Sequence, residues 1–556
     1  MNRKTLSPLV AAAAVALPGA AFACGGLFCN NSQPVVQQAE NILFVVDGET
    51  THMHVRITYG GPPQEFGWLL PVPRGVETAV STEQVFQVLG QFAPSFQLAY
   101  ERTVQCEEEA YPSAAEGDFN ADAGLAGGDD RGVQVISREP VGPYDRAILD
   151  ARSVDDLREW LDQNGYQIPE QVDATLRPYV DSGAALFVAI KLLPGEDTGD
   201  LVPLHLSFPG NAPTIPIVPT AVATQADLGI VAQVLGDARA IPLNYRHVQI
   251  NEAAIDWMSG GSNYFDVVAQ ASDEAGGRAF TTDFAGPHGL GQGQGPLTLI
   301  DPGLIDRVAE VRTVEDFSPL SCELDIFDAD VSRILRSVFQ PPDGEAQAFL
   351  DCLGGVGNAP GSAIDGAAIA ERFRVEINTP RTAINGHFAA KPYLTRLFTT
   401  MSADEMTEDP SFAVNPDAAA VDNVHRATAT VYQCTPEGWY DYSNIRIVTE
   451  SGLAFDVTNG EQPNAIRRQD GQTVRQGAEP AAAVIEQYLT SGDPTTDLDN
   501  VPEIQDRNDP NKLDAVGGGG DDDGCGCSAG GHGSPVGIGA GLFLLALGAG
   551  LRRRRR

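Results

Sequence analysis

The last five residues, Arg552 to Arg556, constrain this chain more than any other feature, because an uncharged, largely apolar run from Val536 to Leu551 leads straight into them. As a helix that run would reach about 24 Å, a little short of a ~30 Å hydrocarbon core. The flanking Gly533-Ser534-Pro535 and snorkelling arginines can cover the difference. Five consecutive cations are too costly to translocate, so the expectation is a single C-terminal transmembrane helix over 536–551, with its end in the cytoplasm and everything before residue 535 outside. The other end agrees. Arg3 and Lys4 precede an alanine-rich apolar stretch and then Pro18-Gly19-Ala20-Ala21-Phe22-Ala23, the three regions of a secretory signal peptide in order. Small side chains at Ala21 and Ala23 suit a signal peptidase that leaves Cys24 as the mature N-terminus. Lipidation of Cys24 is the competing reading, and Phe22 is a poor fit to the lipobox it would need.

The expected organisation is therefore a signal peptide (1–23), an exported ectodomain (24–490), a stalk rich in Asp, Pro and Gly (491–523) and a tail (524–556). The formal net charge of the whole chain is −39, and removing both ends deletes seven cations and no anions, leaving about −46. Such a surface repels phosphate backbones and anionic lipid headgroups, which argues against a nucleic-acid partner. Cys24, Cys29, Cys106, Cys322, Cys352 and Cys434 all fall outside the cytoplasm by this topology. An even count in an oxidising compartment favours disulfides, with Cys24–Cys29 and Cys322–Cys352 the nearest pairs in sequence. No paired Cys-x-x-Cys pattern of a zinc ribbon occurs among the six.

Along the ectodomain, Ile42 to Val46, Asp47-Gly48 and Val55 to Tyr59 read as a hairpin, and Phe66 to Pro73 as a short strand stopped by prolines. Ser81 to Phe92 reads as a helix with Ser81 and Gln84 as its capping box. Residues 107–131 form an acidic loop rich in Gly and Ala. A helix is expected over Ser153 to Asn164, with strands at 185–190, 204–208, 230–234 and 245–250. Helices are expected to dominate from Ser262 to Thr400, and strands to return at 427–432 and 445–448. Mixed blocks without regular alternation point to an α+β fold with mixed sheets rather than a doubly wound one.

Two resemblances bear on these segments. Gly524-Cys525-Gly526-Cys527, the apolar run and the arginine cluster resemble, in that order, the MYXO-CTERM sorting domain. That resemblance implies cleavage near Cys525 and Cys527 by a protease of the myxosortase type, followed by anchoring at the outer surface; a permanent tail anchor is the alternative. The ectodomain resembles the bacterial family called domain of unknown function 2330. The blocks that carry this are Cys24-Gly25-Gly26-Leu27-Phe28-Cys29, Phe66 to Pro73, Gly276 to Thr282 and Tyr393 to Met406. The family brings no established activity and implies only an exported protein.

Catalytic signatures are sparse. No His-Glu-x-x-His helix, Gly-x-Ser-x-Gly elbow or phosphate-binding Gly-rich loop occurs. His52 and His54 would point to one face of a strand, as metal ligands could, and an outward-facing polar pair is the simpler reading. The run Gly289 to Gly295 lacks the helix a dinucleotide site needs and reads as a loop. Asp118, Asn120, Asp122 and Asp129 take positions 1, 3, 5 and 12 of an EF-hand-like loop, a weak calcium candidate. Ala123 stands where that loop needs Gly, and Asp129 where it needs Glu. Asp497-Leu498-Asp499-Asn500 is weaker still. Asp404, Glu405, Glu408 and Asp409 cluster after Ser402, where a capping box with Glu405 accounts for them. No cofactor is called for. The expected role is a surface-displayed, non-enzymatic binding or structural module of unknown ligand. The alternative is a secreted hydrolase assembled from distant residues, for which a cleft holding a His beside a hydroxyl or two carboxylates would speak.

Overall fold

Alternation of buried side chains on the strands Val36–Asp47 and Thr50–Gly60 sets the architecture. Ile42, Phe44, Met53 and Val55 face one apolar core, whereas Leu43 and Val45 face another. A sheet apolar on both faces must be covered on both. The computed structural model describes residues 36–60, 66–106, 134–166, 172–183, 185–193, 201–222, 224–293, 295–339, 361–462, 464–469, 472–474 and 480–508. The chain divides into two units, Met1–Pro510 and Asn511–Arg556, and every described residue belongs to the first.

The large sheet has ten strands, in the order Thr495–Asp499, Ala482–Gln487, Arg246–Ile250, Ala279–Pro287, Tyr393–Met401, Thr224–Gly236, Val36–Asp47, Thr50–Gly60, Leu204–Pro209 and Glu77–Val80. Val36–Asp47 runs parallel to Thr224–Gly236, and Arg246–Ile250 runs parallel to Ala279–Pro287. The first core packs the large sheet against a four-stranded antiparallel sheet of Gly67–Pro73, Ala185–Leu192, Tyr144–Asp150 and Gln134–Val141, with Trp68, Leu70, Ile148 and Val188 facing inward. Pro71 is tolerated in that sheet because its strand is an edge. The outer face of the small sheet, Leu69, Leu149 and Phe187, is covered by Leu157, Trp160 and Leu176 of the helices Val154–Gln163 and Val172–Ser182. On the other side of the large sheet, Leu43, Val45 and Leu235 meet Val85 and Leu89 of Glu83–Leu89 and Ile384 and Phe388 of Thr379–Ala390. A separate helical core gathers Leu304, Phe317, Ile334 and Phe373. Near the far end of the sheet, a second four-stranded sheet (Ala454–Val457, Ile445–Thr449, Val424–Val431, Ser95–Arg102) packs Ala429, Ile447 and Phe455 with Val267 and Ala271 of the helix Tyr264–Glu274.

The α+β expectation holds, as do the hairpin, the Phe66 to Pro73 strand and the helix capped by Ser153. Four assignments change. Helices do dominate 262–400, but two central strands not foreseen there, Ala279–Pro287 and Tyr393–Met401, interrupt and end the region. Both are buried on two faces and so lack the alternation that marks a half-exposed strand. The cap of Glu83–Leu89 is Thr82, whose oxygen accepts from Gln84 N–H, because Ser81 is drawn off to the His54 ring. Ser402 and Glu405 form a turn rather than a helix start: Glu405 accepts from the Ser402 N–H, but the Ser402 hydroxyl accepts from Asp227 N–H instead. The proposed stalk also begins too early, since Thr495–Asp499 extends the large sheet and Ile504 of Val501–Arg507 enters its core.

Cys106 and Cys434 form a disulfide across 328 residues, joining the ends of the paired strands Ser95–Arg102 and Val424–Val431. Cys322 is disulfide-bonded as well. Cys24, Cys29, Cys352, Cys525 and Cys527 lie outside the described residues. So do Asp118, Asn120, Asp122 and Asp129 of the acidic loop and the apolar run 536–551. Among the described residues no helix is long and apolar enough to cross a membrane.

Candidate ligand cleft

Parallel pairing between Arg246–Ile250 and Ala279–Pro287 is confined to Arg246–His247 with Ala279–Phe280. Beyond it lies a cleft of about 440 Å³, lined from both strands, from the second four-stranded sheet and by Ile504. Its wall is mainly apolar, with Val248, Ile250, Val421 and Leu453 among its residues. A register break at Asp283 shapes one side. Thr281 and Thr282 both contribute to the cleft wall, and the bulge lies just beyond them, between Thr282 and Phe284. Asp283 itself turns into the core, where Arg396 holds its carboxylate at 2.9 Å and the Tyr264 hydroxyl donates to it.

Inside the cleft the polar groups are ordered by their hydrogen-bonding capacities. Arg239 can only donate, and its Nη2 lies 3.0 Å from the Thr282 hydroxyl and 3.4 Å from His247 Nε2. The Thr282 oxygen therefore accepts from Arg239, and its own proton goes to His247 Nε2 at 2.9 Å. With donors aimed at Nε2, the ring proton sits on Nδ1 and is donated to Glu486 at 2.8 Å. Burial pushes the His247 imidazole below its usual range, with the Arg239 charge acting in the same direction. Burial pushes the Glu486 carboxyl up, but hydrogen bonds from His247 and Gln249 outweigh it and hold the group ionised. The result is a directed chain from Glu486 through His247 and Thr282 to Arg239, whose guanidinium lies 5.1 Å from the Tyr488 ring centre.

A second acid–histidine pair stands nearer the surface. Glu252 takes His425 Nδ1 at 3.1 Å on one oxygen and the Ser451 hydroxyl at 2.5 Å on the other. Burial raises the Glu252 carboxyl, and these hydrogen bonds bring it below its ordinary value. The His425 ring stacks on Phe96 at 4.7 Å, which fixes its plane. Both imidazoles thus face one largely apolar cleft; Glu252 lines it as well, whereas Glu486 stands behind the His247 ring. A cavity of this size with few, oriented polar groups is suited to a small organic ligand.

Sequence reasoning placed the strand that carries His247, at 245–250, but none at Ala482–Gln487, and it did not bring His247 and Glu486 together, because they are 239 positions apart and meet only through the sheet order. One signal was available: Glu486 ends the apolar run Ala481 to Ile485, where a charged side chain on a buried strand needs a partner. His52 and His54 do share a face, but it is not an outward one. His54 is 2% exposed, and both rings turn toward His205 and His387 beneath the helix Thr379–Ala390. That face is covered because Leu43 and Val45, beside them on the neighbouring strand, need burial. Asp497 does not point to a calcium site either, since Arg246 pairs with it. Among the described residues no group of three or more His, Cys, Asp or Glu side chains surrounds a metal position.

Residues 18–289 match a family model described as an uncharacterized protein conserved in bacteria, DUF2330. The match contains Arg239, His247 and Thr282 but ends before His425, Ser451 and Glu486, and before the Tyr393 to Met406 block. No curated protein matches the chain. Among solved structures, the crystal structure of baculovirus P35 is 13% identical, with 40% of this chain and 69% of that chain covered and a TM-score of 0.19. A likeness that slight carries no argument about fold or function.

Proposed function

We propose that this chain is an exported bacterial envelope protein whose ectodomain binds a small, mainly apolar ligand bearing hydrogen-bonding groups. The cleft of about 440 Å³, with its two carboxylate–imidazole pairs, carries this reading. Such a ligand would lay its apolar body against Val248, Ile250 and Val421 and present donors to Glu252 or Ser451. Export rests on the leader 1–23, and surface anchoring on the tail 524–556. Signal peptidase and a myxosortase-type protease are the partners these ends imply, with the membrane itself as the third. Two measurements test the proposal. Small molecules released by denaturing the protein from its native envelope should be stoichiometric in the wild type and absent from Ala420→Trp, a substitution that fills the cleft. Equal recovery from both would remove the cleft as the binding site. Mass spectrometry of the mature C-terminus should find the arginines gone, and an intact Arg556 on surface-exposed protein would refute processing.

A second reading is favoured by one observation, the alignment of Glu486, His247 and Thr282 at 2.8 and 2.9 Å in the order orienting acid, base and hydroxyl. Such an order supports acyl transfer from an ester: His247 takes the Thr282 proton as its oxygen bonds to the acyl carbon, the proton passes to the departing alcohol as the ester bond breaks, and water then frees the acid and restores the Thr282 hydroxyl. Binding stays ahead because the Thr282 oxygen is already engaged on both sides, toward His247 and toward Arg239, and is largely buried. A panel of activated esters separates the two readings. Hydrolysis lost in Thr282→Val and kept in Thr282→Ser would establish the enzyme, and no turnover by the wild type would set it aside.

A further inference from the structure

Of the eight histidines in the chain, four come together at the opposite end of the large sheet from the cleft. His54 and His205 are directly opposed across the antiparallel strands Thr50–Gly60 and Leu204–Pro209, and their rings stack 4.4 Å apart. His52, two residues along, places its ring 5.3 Å from His205 and 4.7 Å from His387 of the overlying helix. Its Nδ1 lies 3.1 Å from His205 Nε2. Two imidazole nitrogens bound to one zinc-like cation at ~2.0–2.1 Å would be separated by roughly 2.8 to 3.4 Å, for angles between square and tetrahedral. The pair already has that spacing. No salt bridge or hydrogen bond joins any of the four rings to a carboxylate among the described residues. His54 Nδ1 is held by the Ser81 hydroxyl at 2.8 Å, while its Nε2 is buried and has no hydrogen-bond partner.

We propose that His52, His205 and His387 bind a first-row divalent cation of the zinc and copper class, with His54 stacked behind as the group that fixes the His205 ring. Imidazole is the ligand type such cations prefer, and a three-histidine set leaves a position open for water or a further ligand. Three of the rings do not converge on one point as they stand. The third ligand would be His387, which is half-exposed near the C-terminal end of Thr379–Ala390 and would have to rotate to reach the pair. The charged groups that face the cluster are Asp47, which acts on His52 and His387, and Lys391, which acts on His387 and is paired with Asp237 at 3.0 Å. Burial holds all four imidazoles below their usual range, His205 at about 4. The nitrogens therefore keep their lone pairs at neutral pH, and binding need not displace a proton from an imidazolium.

The test is copper(II) titration of the full chain, purified without a polyhistidine tag, read by electron paramagnetic resonance and by equilibrium dialysis. The wild type should bind one copper ion at this cluster with hyperfine structure from at least three imidazole nitrogens, and calcium or magnesium in excess should not displace it. His387→Ala, at a half-exposed position whose change should leave the fold intact, should weaken binding at least tenfold. His425→Ala should leave it unchanged. Circular dichroism of metal-free protein separates lost binding from lost folding. An unaltered copper affinity in both His387→Ala and His52→Ala, or a spectrum with only one or two nitrogens, would overturn the site.

Discussion

At one end of the ten-stranded sheet His247 and His425 are each bonded to a carboxylate, whereas at the other His52, His54, His205 and His387 have mainly each other for company. The chemistry of an imidazole follows from that difference. A carboxylate on Nδ1 fixes the tautomer and aims Nε2, so His247 serves as an oriented acceptor within a cleft. Imidazoles packed against one another are held neutral by burial and mutual repulsion, the state that suits a soft-edged cation. Whether a carboxylate lies within hydrogen-bonding reach of the ring decides which behaviour a histidine shows.

The largest test of this contrast is stability. His247→Ala removes the 2.8 Å hydrogen bond to the buried Glu486 carboxylate, leaving it to Gln249 and Tyr488, and should cost about 3–5 kcal/mol. Denaturant melts in which this loss equals that of a cluster variant would break the comparison. Next comes acid. The unfolded chain carries each histidine near 6.5, whereas folded His205 is held at about 4, by burial first and then by His52 and His387. As pH falls below 6.5 the unfolded chain takes up a proton that the folded chain refuses. Stability should therefore drop between about pH 6.5 and 4 and level off below, by about 3 kcal/mol for this group. His205→Gln should flatten that limb of the stability curve, and an unchanged limb would mean the cluster does not titrate as a unit of the fold.

The disulfide sharpens the comparison by acting on one end alone. Cys106→Ser with Cys434→Ser removes a link between two strands of the cleft-side sheet and should cost roughly 2–4 kcal/mol. Hydrogen exchange should quicken in Ser95–Arg102 and Val424–Val431 while Thr50–Gly60 keeps its protection. The smallest effect belongs to His54→Leu. The gain from removing the unpartnered Nε2 is offset by loss of the Nδ1 hydrogen bond to Ser81, so the net change in calorimetry should be about 1 kcal/mol.

Elements marked by a turn or a cap were legible in the sequence. The hairpin at Asp47-Gly48 and the helix from Ser153 to Asn164 announce themselves by alternation, caps and turn residues. Ala279–Pro287 and Tyr393–Met401 do not, because a strand covered on both faces shows neither period, and their Thr-rich sequences are as polar as a surface. The sites were less legible than the fold. His52 and His54 stood out as a pair, but His205 and His387 join them through a strand crossover and a helix that no local pattern predicts. Glu486 reaches His247 only because Ala482–Gln487 returns, late in the chain, to lie beside Arg246–Ile250.

The division of the histidines by their partners is tested most directly by nitrogen-15 shifts of the imidazole rings, assigned by substitution and followed as one equivalent of zinc is added. The account predicts a single Nδ1-protonated form of His247 before and after zinc, with changes confined to His52, His205, His387 and the stacked His54. Zinc-dependent shifts at His247 or His425, or a His247 ring protonated on Nε2 in the metal-free protein, would contradict it.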